Sequence, residues 1–415
     1  MLVHKSRLSA YTVYLLFSGA TSLSFSIIFT VNMVYQVEVA KLNPLQLVLV
    51  GTVLESAAFI CQVPTGVFAD IYSRRLAVIL GIFVFGLAFI LEGSFPRFDA
   101  IVACQILFGV GATLMDGAEQ AWITDEVGEA RVGHVFLRST QVGLVAGLLG
   151  AAISVGLGSV RLNLPIVMGG ALSVVIAVFL LFFMPENNFH PALKTERRTW
   201  RDIGDTFRSS LRVVRGRPVL LTILLIALLY GLYSEGFDRL WTAHFLTNFT
   251  FPALGQFKPV VWFGIFSVVG TLLTLGATEV VRRWIDIALQ RVLIRALFVL
   301  SALGIVSLLV FALAGNFFLA VAAVLLFRVF RTVNEPIYTA WLTQNIESKV
   351  RATVISMRGQ VDAFGQIAGG PPVGYIGTAF SIRAALVAAS AILSPVLLLY
   401  AYAARKSKEK LAQPS

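Results

Sequence analysis

The sequence predicts an all-α polytopic membrane protein: twelve transmembrane helices in two parallel six-helix pseudo-repeats around a central cavity. Three observations carry that prediction. Apolar runs recur along the whole chain, each about as long as the roughly 20 residues a helix needs to cross a bilayer core. Hydrophobic residues make up 57% of the 415 positions and charged residues 13%, where a soluble domain carries about 25% charged. Finally, blocks of the first half recur in the second at one offset, the separation of Trp122 from Trp341.

The runs place helices at about 10–35, 45–69, 76–95, 98–123, 138–160 and 163–184, then about 218–247, 259–281, 292–312, 316–344, 353–379 and 382–404. Strands of a barrel are excluded by the length and continuity of these runs. The first run follows Lys5 and Arg7, lacks a small-residue cleavage site and reads as a retained helix. The third and fourth helices are divided by the short turn Ser94-Phe95-Pro96-Arg97-Phe98-Asp99. The single long polar interruption, 186–217, is Arg-rich and begins near Pro185 and Pro191. It separates an N-terminal bundle (1–185) from a C-terminal bundle (218–404), with a tail at 405–415. An amphipathic turn around Ile203–Leu211 within it suits the surface of an anionic leaflet.

Charge sets the orientation. With both termini cytoplasmic, 25 of the 33 Lys and Arg fall in the cytoplasmic segments, six fall outside, and Arg328 and Arg331 lie within a helix. The net charge of +11 is therefore a topology signal, and no nucleic-acid partner is expected. The expected location is a bacterial inner membrane.

The repeat rests on Ala121-Trp122-Ile123-Thr124 against Ala340-Trp341-Leu342-Thr343, with Gln141-Val142 against Gln360-Val361 and Gly150 against Gly369 at the same offset. Six helices per half give both copies the same orientation, which is the architecture of transporters with a path between the halves. Enzyme chemistry finds no foothold. There is no H-E-x-x-H, phosphate-binding loop or nucleophile elbow, and His4, His134, His190 and His244 are scattered. Cys61 and Cys104 lie inside apolar runs and read as small buried residues. No cofactor or metal is expected. The expected partners are a small solute, protons and the lipid bilayer, and the expected state is a monomer.

Charged side chains at the centre of a bilayer cost about 2.5–3.5 kcal/mol on insertion scales and are rarely idle. The candidates are Glu55, Asp116, Glu119, Arg328, Arg331, Glu335 and Asp362, with Glu235, Asp238 and Arg239 in the outer part of the seventh helix. Arg328, Arg331 and Glu335 share one helix face. Glu335, and Asp362 on the next helix, are the expected partners of the two arginines. Asp116 occupies the repeat position of Glu335, but Gly109 and Ala112 stand where the arginines stand in the second half. A buried carboxyl without a cation favours its protonated form, so Asp116 is the first candidate for proton coupling, then Glu55 and Glu119. Trp122, Trp241, Trp262, Trp284 and Trp341 fall near helix ends and are expected to anchor at the membrane interface.

Between the second and third helices the chain reads Gly66-Val67-Phe68-Ala69-Asp70-Ile71-Tyr72-Ser73-Arg74-Arg75. This resembles the loop motif of the major facilitator superfamily, G-x-x-x-D-x-x-G-R-[RK], with Ser73 in place of the second glycine. The resemblance, together with twelve spans and a central linker, covers the whole chain. It implies a cytoplasmic gate of Gly66, Asp70, Arg74 and Arg75, with Asp70 facing a helix N-terminus and the arginines facing Asp125 and Glu126 at the end of the fourth helix. The segments Asp116–Glu126 and Glu235–Trp241 look like those of bacterial drug-efflux-type members. Gln105 and Gly150-Ala151 depart from that pattern, where such members carry an arginine and a Gly-Pro pair. The resemblance implies secondary active, proton-coupled export of small amphiphilic compounds by alternating access. Uptake of a small anionic solute on Arg328 and Arg331 is the alternative, and a non-transporting membrane sensor is the third reading.

Overall fold

The computed structural model describes residues 8–191, 218–253, 258–284, 289–346 and 351–412. Among them there are fifteen α-helices and no strand. They are α1 (Ala10–Phe29), α2 (Asn32–Glu38), α3 (Pro44–Ile71), α4 (Arg74–Ser94), α5 (Phe98–Met115), α6 (Ala118–Val127), α7 (Glu129–Val160) and α8 (Asn163–Phe183). After the interruption come α9 (Pro218–Asn248), α10 (Val260–Trp284), α11 (Gln290–Leu313), α12 (Phe317–Gln344), α13 (Arg351–Ala379), α14 (Ile382–Leu393) and α15 (Val396–Ala412). The predicted amphipathic turn, most of the predicted linker (192–217) and the end of the tail (413–415) lie outside the described residues.

Eleven helical stretches, among the described residues, are long and apolar enough to cross a membrane. α1 with α2, α5 with α6, and α14 with α15 each count as one. Helix α13 is not among them. It matches the predicted 353–379 segment, but it carries Arg351, Arg358, Asp362, Pro371 and Pro372 in a Gly-rich stretch of low hydropathy.

Local chemistry fixes several boundaries. Ser9, Ser73, Asn316 and Ser381 cap α1, α4, α12 and α14, each accepting a bond from a backbone N–H three residues on. The predicted turn at 94–99 does separate α4 from α5. Elsewhere the structure departs from the sequence reading. The predicted fourth helix breaks after Met115: Asp116 leaves the helix at ψ 124 and Gly117 takes φ 74, a conformation that costs glycine little. The predicted fifth helix starts at Glu129, well before position 138, because Gly128 at φ 84 supplies the turn. The twelfth is interrupted at Ser394-Pro395, where proline offers no N–H.

The chain divides into two compact units. Unit 1 comprises Met1–Leu42, Val53–Trp200 and Ala253–Ile265; unit 2 comprises Asn43–Thr52, Arg201–Pro252 and Phe266–Ser415. In unit 1, α1 packs mainly on α7 and α8, and α4 packs on α8 and α5. In unit 2, α9 packs mainly on α13 and α14, and α11 packs on α12, α14 and α15.

Small residues permit the closest crossings, as membrane helices favour. On α7, Gly150 lies against the backbone of Leu23 in α1, and Ser154 Oγ donates to Ile27 O at 2.6 Å. Ser24 of α1 and Ser173 of α8 bond at 2.6 Å. On α13, Gly365 and Gly369 lie against the backbone of α9 at Leu228, Gly231 and Leu232.

Two of the five tryptophans expected to anchor at an interface are buried among helices instead. Trp122 and Trp341 are 2% and 0% exposed. Trp122 Nε1 donates to Pro185 O at 2.6 Å, and Trp341 packs on Tyr338 and Tyr400. Position near a helix end does not distinguish an anchor from a post buried among helices.

Candidate functional site

Three helices of unit 2 border an open cavity of about 270 Å³, lined by residues of α9, α12 and α13. Its polar walls include Tyr230, Ser234 and Asn334, and its charged walls are Arg331, Glu335, Arg358 and Asp362. Helical spacing builds it. Arg331 and Glu335 are one turn apart on α12, and Arg358, Asp362 and Gln366 follow at four-residue steps on α13, so each set shares a face.

The ion pairs differ from those the sequence suggested. Arg331 does not pair with Glu335. Its Nη1 and Nη2 donate to the two carboxylate oxygens of Asp238 on α9 at 2.6 and 2.8 Å, and its guanidinium lies 5.8 Å from the Tyr233 ring centroid. This is the strong bidentate geometry. Arg328 instead sits over Trp241 at 5.4 Å, which supplies a cation–π contact in place of a carboxylate. Glu335 pairs with Arg358, whose Nη2 lies 2.7 and 2.8 Å from its two oxygens. Asp362 accepts from Gln366 Nε2 at 2.9 Å. Tyr230, Ser301 and Asn334 form a hydroxyl–amide network at 3.0–3.3 Å.

Sequence reasoning took Arg358 for a topology charge and did not connect Asp238 with Arg331. The same-face spacing of Arg328, Arg331 and Glu335 pointed to contacts along one helix. The bidentate partner comes from across the helix pair, and short-range periodicity carries no such information. Nearer the end of α9, Glu235 is buried and pairs with Arg239 at 2.8 Å, one turn away.

In unit 1, Asp116 and Glu119 lie together at the α5–α6 break and Glu55 lies on α3. Asp116 is exposed at the break between α5 and α6, contrary to the buried position expected of it, because the helix ends there and turns its side chain outward. Glu119 is half-buried in the first turn of α6, and Glu55 is half-buried in α3. The buried carboxylate of this unit is Glu92, which the sequence reading passed over as part of an apolar run. It is 0% exposed. Asn32 and Gln36 donate to its Oε1 at 2.8 Å, and Gln105 donates to its Oε2 at 2.9 Å. Gln105, which stands where an arginine was looked for, is thus an amide clasp joining α5 to α4.

The loop motif forms a latch within unit 1. Arg74 pairs with Asp125 and also donates to Ala121 O at 3.2 Å. Arg75 does not meet Glu126: its Nη2 donates to Leu181 O at 2.6 Å. Glu186, just beyond α8, accepts from Ser73 Oγ at 2.6 Å and from Arg75 N at 2.9 Å. Glu126 accepts from the backbone N–H groups of Asn187 and Asn188 at 2.6 and 3.0 Å. Ser73 therefore does two things a glycine does not: its Oγ caps α4 at Leu76 N and donates to Glu186. Asp70 is exposed at the end of α3, and Gly66 has open space where a Cβ would stand.

The profile of the Major Facilitator Superfamily matches residues 11–370. A relative from Bacillus subtilis (strain 168), described as the uncharacterized MFS-type transporter YxaM, is 24% identical over 400 residues, spanning 94% of each chain. Among solved structures, the nucleoside transporter NupG aligns with a TM-score of 0.73 at 13% identity, over 95% of this chain and 99% of its own. A bacterial homolog of the human lysosomal transporter Spinster, in an inward-facing and unoccupied conformation, aligns with a TM-score of 0.71 at 12% identity over 98% of each chain. At such identities the likeness is one of fold.

Proposed function

The chain belongs to the Major Facilitator Superfamily, a family of multi-pass membrane transporters and not of enzymes, and on that premise we propose that it is a proton-coupled secondary transporter exporting a small polar solute by alternating access. The unit 2 cavity carries the reading. Two arginines and two carboxylates, on α12 and α13, face about 270 Å³, and intramembrane charge of that density marks a solute or ion path. The lining supports a small charged or polar solute over a bulky apolar one. Export rather than uptake is supported by the resemblance of Asp116–Glu126 and Glu235–Trp241 to efflux-type members. Uptake of an anionic solute is the second reading, favoured by the guanidinium that Arg358 offers in the cavity.

The architecture we propose has twelve spans, counting α13, in two parallel repeats divided at 186–217, with both termini cytoplasmic. Support for the repeat comes from packing. Span 1 on 5, 3 on 6, 3 on 4 and 1 on 6 in unit 1 correspond to 7 on 11, 9 on 12, 9 on 10 and 7 on 12 in unit 2. We place the coupling proton at the carboxylates of the α5–α6 break: Asp116 first, on its lack of an arginine on its own helix and not on burial, and the half-buried Glu119 second. The loop-motif latch of Arg74, Asp125, Ser73 and Glu186 holds one conformational state.

The test is a solute screen in proteoliposomes under an imposed pH gradient, run on the full chain and on Asp116→Asn. Solute movement driven by the gradient, lost in Asp116→Asn while solute exchange persists, is the expected result. Gradient-driven accumulation that survives the substitution removes Asp116 from coupling. Absence of any solute movement across the screen counts against transport itself.

A further inference from the structure

We propose that the unit 2 cavity takes a small zwitterion, its carboxylate on Arg358 and its ammonium group on Asp362, and that Glu335 holds the Arg358 position until solute arrives. The proposal rests on the reading of this cavity as the solute site and names what it binds.

The charged groups around the cavity are not equivalent. Arg331 is closed: both of its terminal nitrogens and both oxygens of Asp238 are used in the bidentate pair. Arg358 is open. Only its Nη2 meets Glu335, and its Nε is buried with no hydrogen-bond partner among the described residues. Tyr338 fixes this guanidinium, with the ring centroid 4.8 Å from Cζ.

The two members of the Glu335–Arg358 pair also differ in freedom. The arginine side chain is 22% exposed and the glutamate 58%. A solute carboxylate therefore meets a fixed cation whose present counter-ion can swing away. Glu335 is a carboxylate on a flexible stem, and it occupies the place a solute carboxylate would take.

Asp362 supplies the other end. It lies four residues beyond Arg358, about 6 Å along α13 at 1.5 Å per residue, and on the same face. Its bond comes from the neutral amide of Gln366, and it makes no salt bridge among the described residues. A carboxylate so placed accepts an ammonium group without first losing an ion pair.

The opposite charges of the two open groups select between solutes. With Arg331 neutralised by Asp238, the groups left to a solute are Arg358, held by Glu335, and Asp362, held by an amide. An anion on Arg358 would add negative charge beside Asp362, and a cation on Asp362 would add positive charge beside Arg358. A zwitterion adds no net charge and serves both groups. The volume, about 270 Å³, corresponds to about nine waters at a liquid share of about 30 Å³ each, which suits a small solute.

The experiment measures binding of glycine, β-alanine and 4-aminobutyrate to the purified full chain in nanodiscs, with butyrate and butylamine as matched single-charge probes. At least one zwitterion should bind tenfold or more tightly than both single-charge probes. Arg358→Lys and Asp362→Asn should each weaken it at least tenfold, the first by losing the guanidinium fork while keeping charge. Glu335→Gln should tighten it about threefold or more, since the internal competitor is gone; a purely structural role for the pair predicts weakening instead. Equal binding of single-charge probes, no binding by any of the three zwitterions, or weaker binding in Glu335→Gln overturns the proposal. If another solute still moves in the proteoliposome screen, transport stands and only the zwitterion fails; if none moves, the transport reading fails as well.

Discussion

The approach of α9 to α13 is limited by glycine, and one substitution tests it. A Cβ built on Gly365 would lie 2.6 Å from Leu228 O, 2.9 Å from Gly231 Cα and 2.9 Å from Leu232 N. All three are backbone atoms of α9, so no rotamer change relieves the clash. Ordinary contact starts at 3.4 Å, so Gly365→Ala must push the helices apart by about 0.8 Å, enough to forfeit a quarter to a half of the dispersion attraction of flanking atoms. Overpacking of this kind costs about 1–3 kcal/mol. The control is Gly359→Ala on the same helix, where nothing lies within 4 Å of the added carbon. Both substitutions gain the same helix propensity, about 1 kcal/mol, so that term cancels between them. Gly365→Ala should therefore be about 1–3 kcal/mol less stable than Gly359→Ala in reversible unfolding from mixed micelles. Because α13 also carries Arg358 and Asp362, solute transport should fall in the first variant and persist in the second. Stabilities agreeing within about 0.5 kcal/mol, the usual scatter of innocuous substitutions, would refute a glycine-limited crossing.

The latch gives a second prediction. Arg74→Ala and Asp125→Asn, singly and together, should show a coupling energy of about 1 kcal/mol, at the top of the range of exposed pairs because both side chains are more than two-thirds buried; additive effects would make this an ordinary surface charge pair. Topology gives a third. In a background without Cys61 and Cys104, Thr195→Cys and Lys410→Cys should resist a membrane-impermeant thiol reagent applied outside intact cells. Efficient labelling at either position would reverse the orientation proposed from Lys and Arg placement.

How much was legible in the sequence depends on the range of the interaction. Spans were legible because a bilayer imposes their length, and the turn at 94–99 because Pro and exposed polar residues mark it. The break at Asp116-Gly117 was hidden: a single Asp-Gly in an apolar run is also tolerated inside a helix, and only the φ of 74 at Gly117 reveals the turn. Arg74 with Asp125 was readable from the motif. Glu186 was not, although an acidic residue directly after Pro185 at a helix end was the available signal. Glu92 was missed because its solvation comes from other helices, Asn32 and Gln36 on α2 and Gln105 on α5, and amides far from it in sequence announce nothing singly.

The proposed repeat then separates mechanical parts from chemical ones. At the shared offset, Gly117 and Pro336 each disturb the regular helix one residue after an acid, the first by leaving it and the second as an in-helix proline lacking its N–H. Trp122 and Trp341 are both buried posts five residues farther on. Gly150 and Gly369 both bring a helix against a neighbouring backbone. The charges at matching positions have diverged. Gly109 and Ala112 leave Asp116 without a cation on its own helix, whereas Arg328 and Arg331 accompany Glu335, which itself turns to Arg358. Backbone devices shared by both units, with arginines at the matching helix positions in only one, suit a transporter whose two halves move alike but hold different cargo. On the reading proposed here, the proton resides in the half where the acid stands without an arginine, and the solute resides in the half where the arginines are.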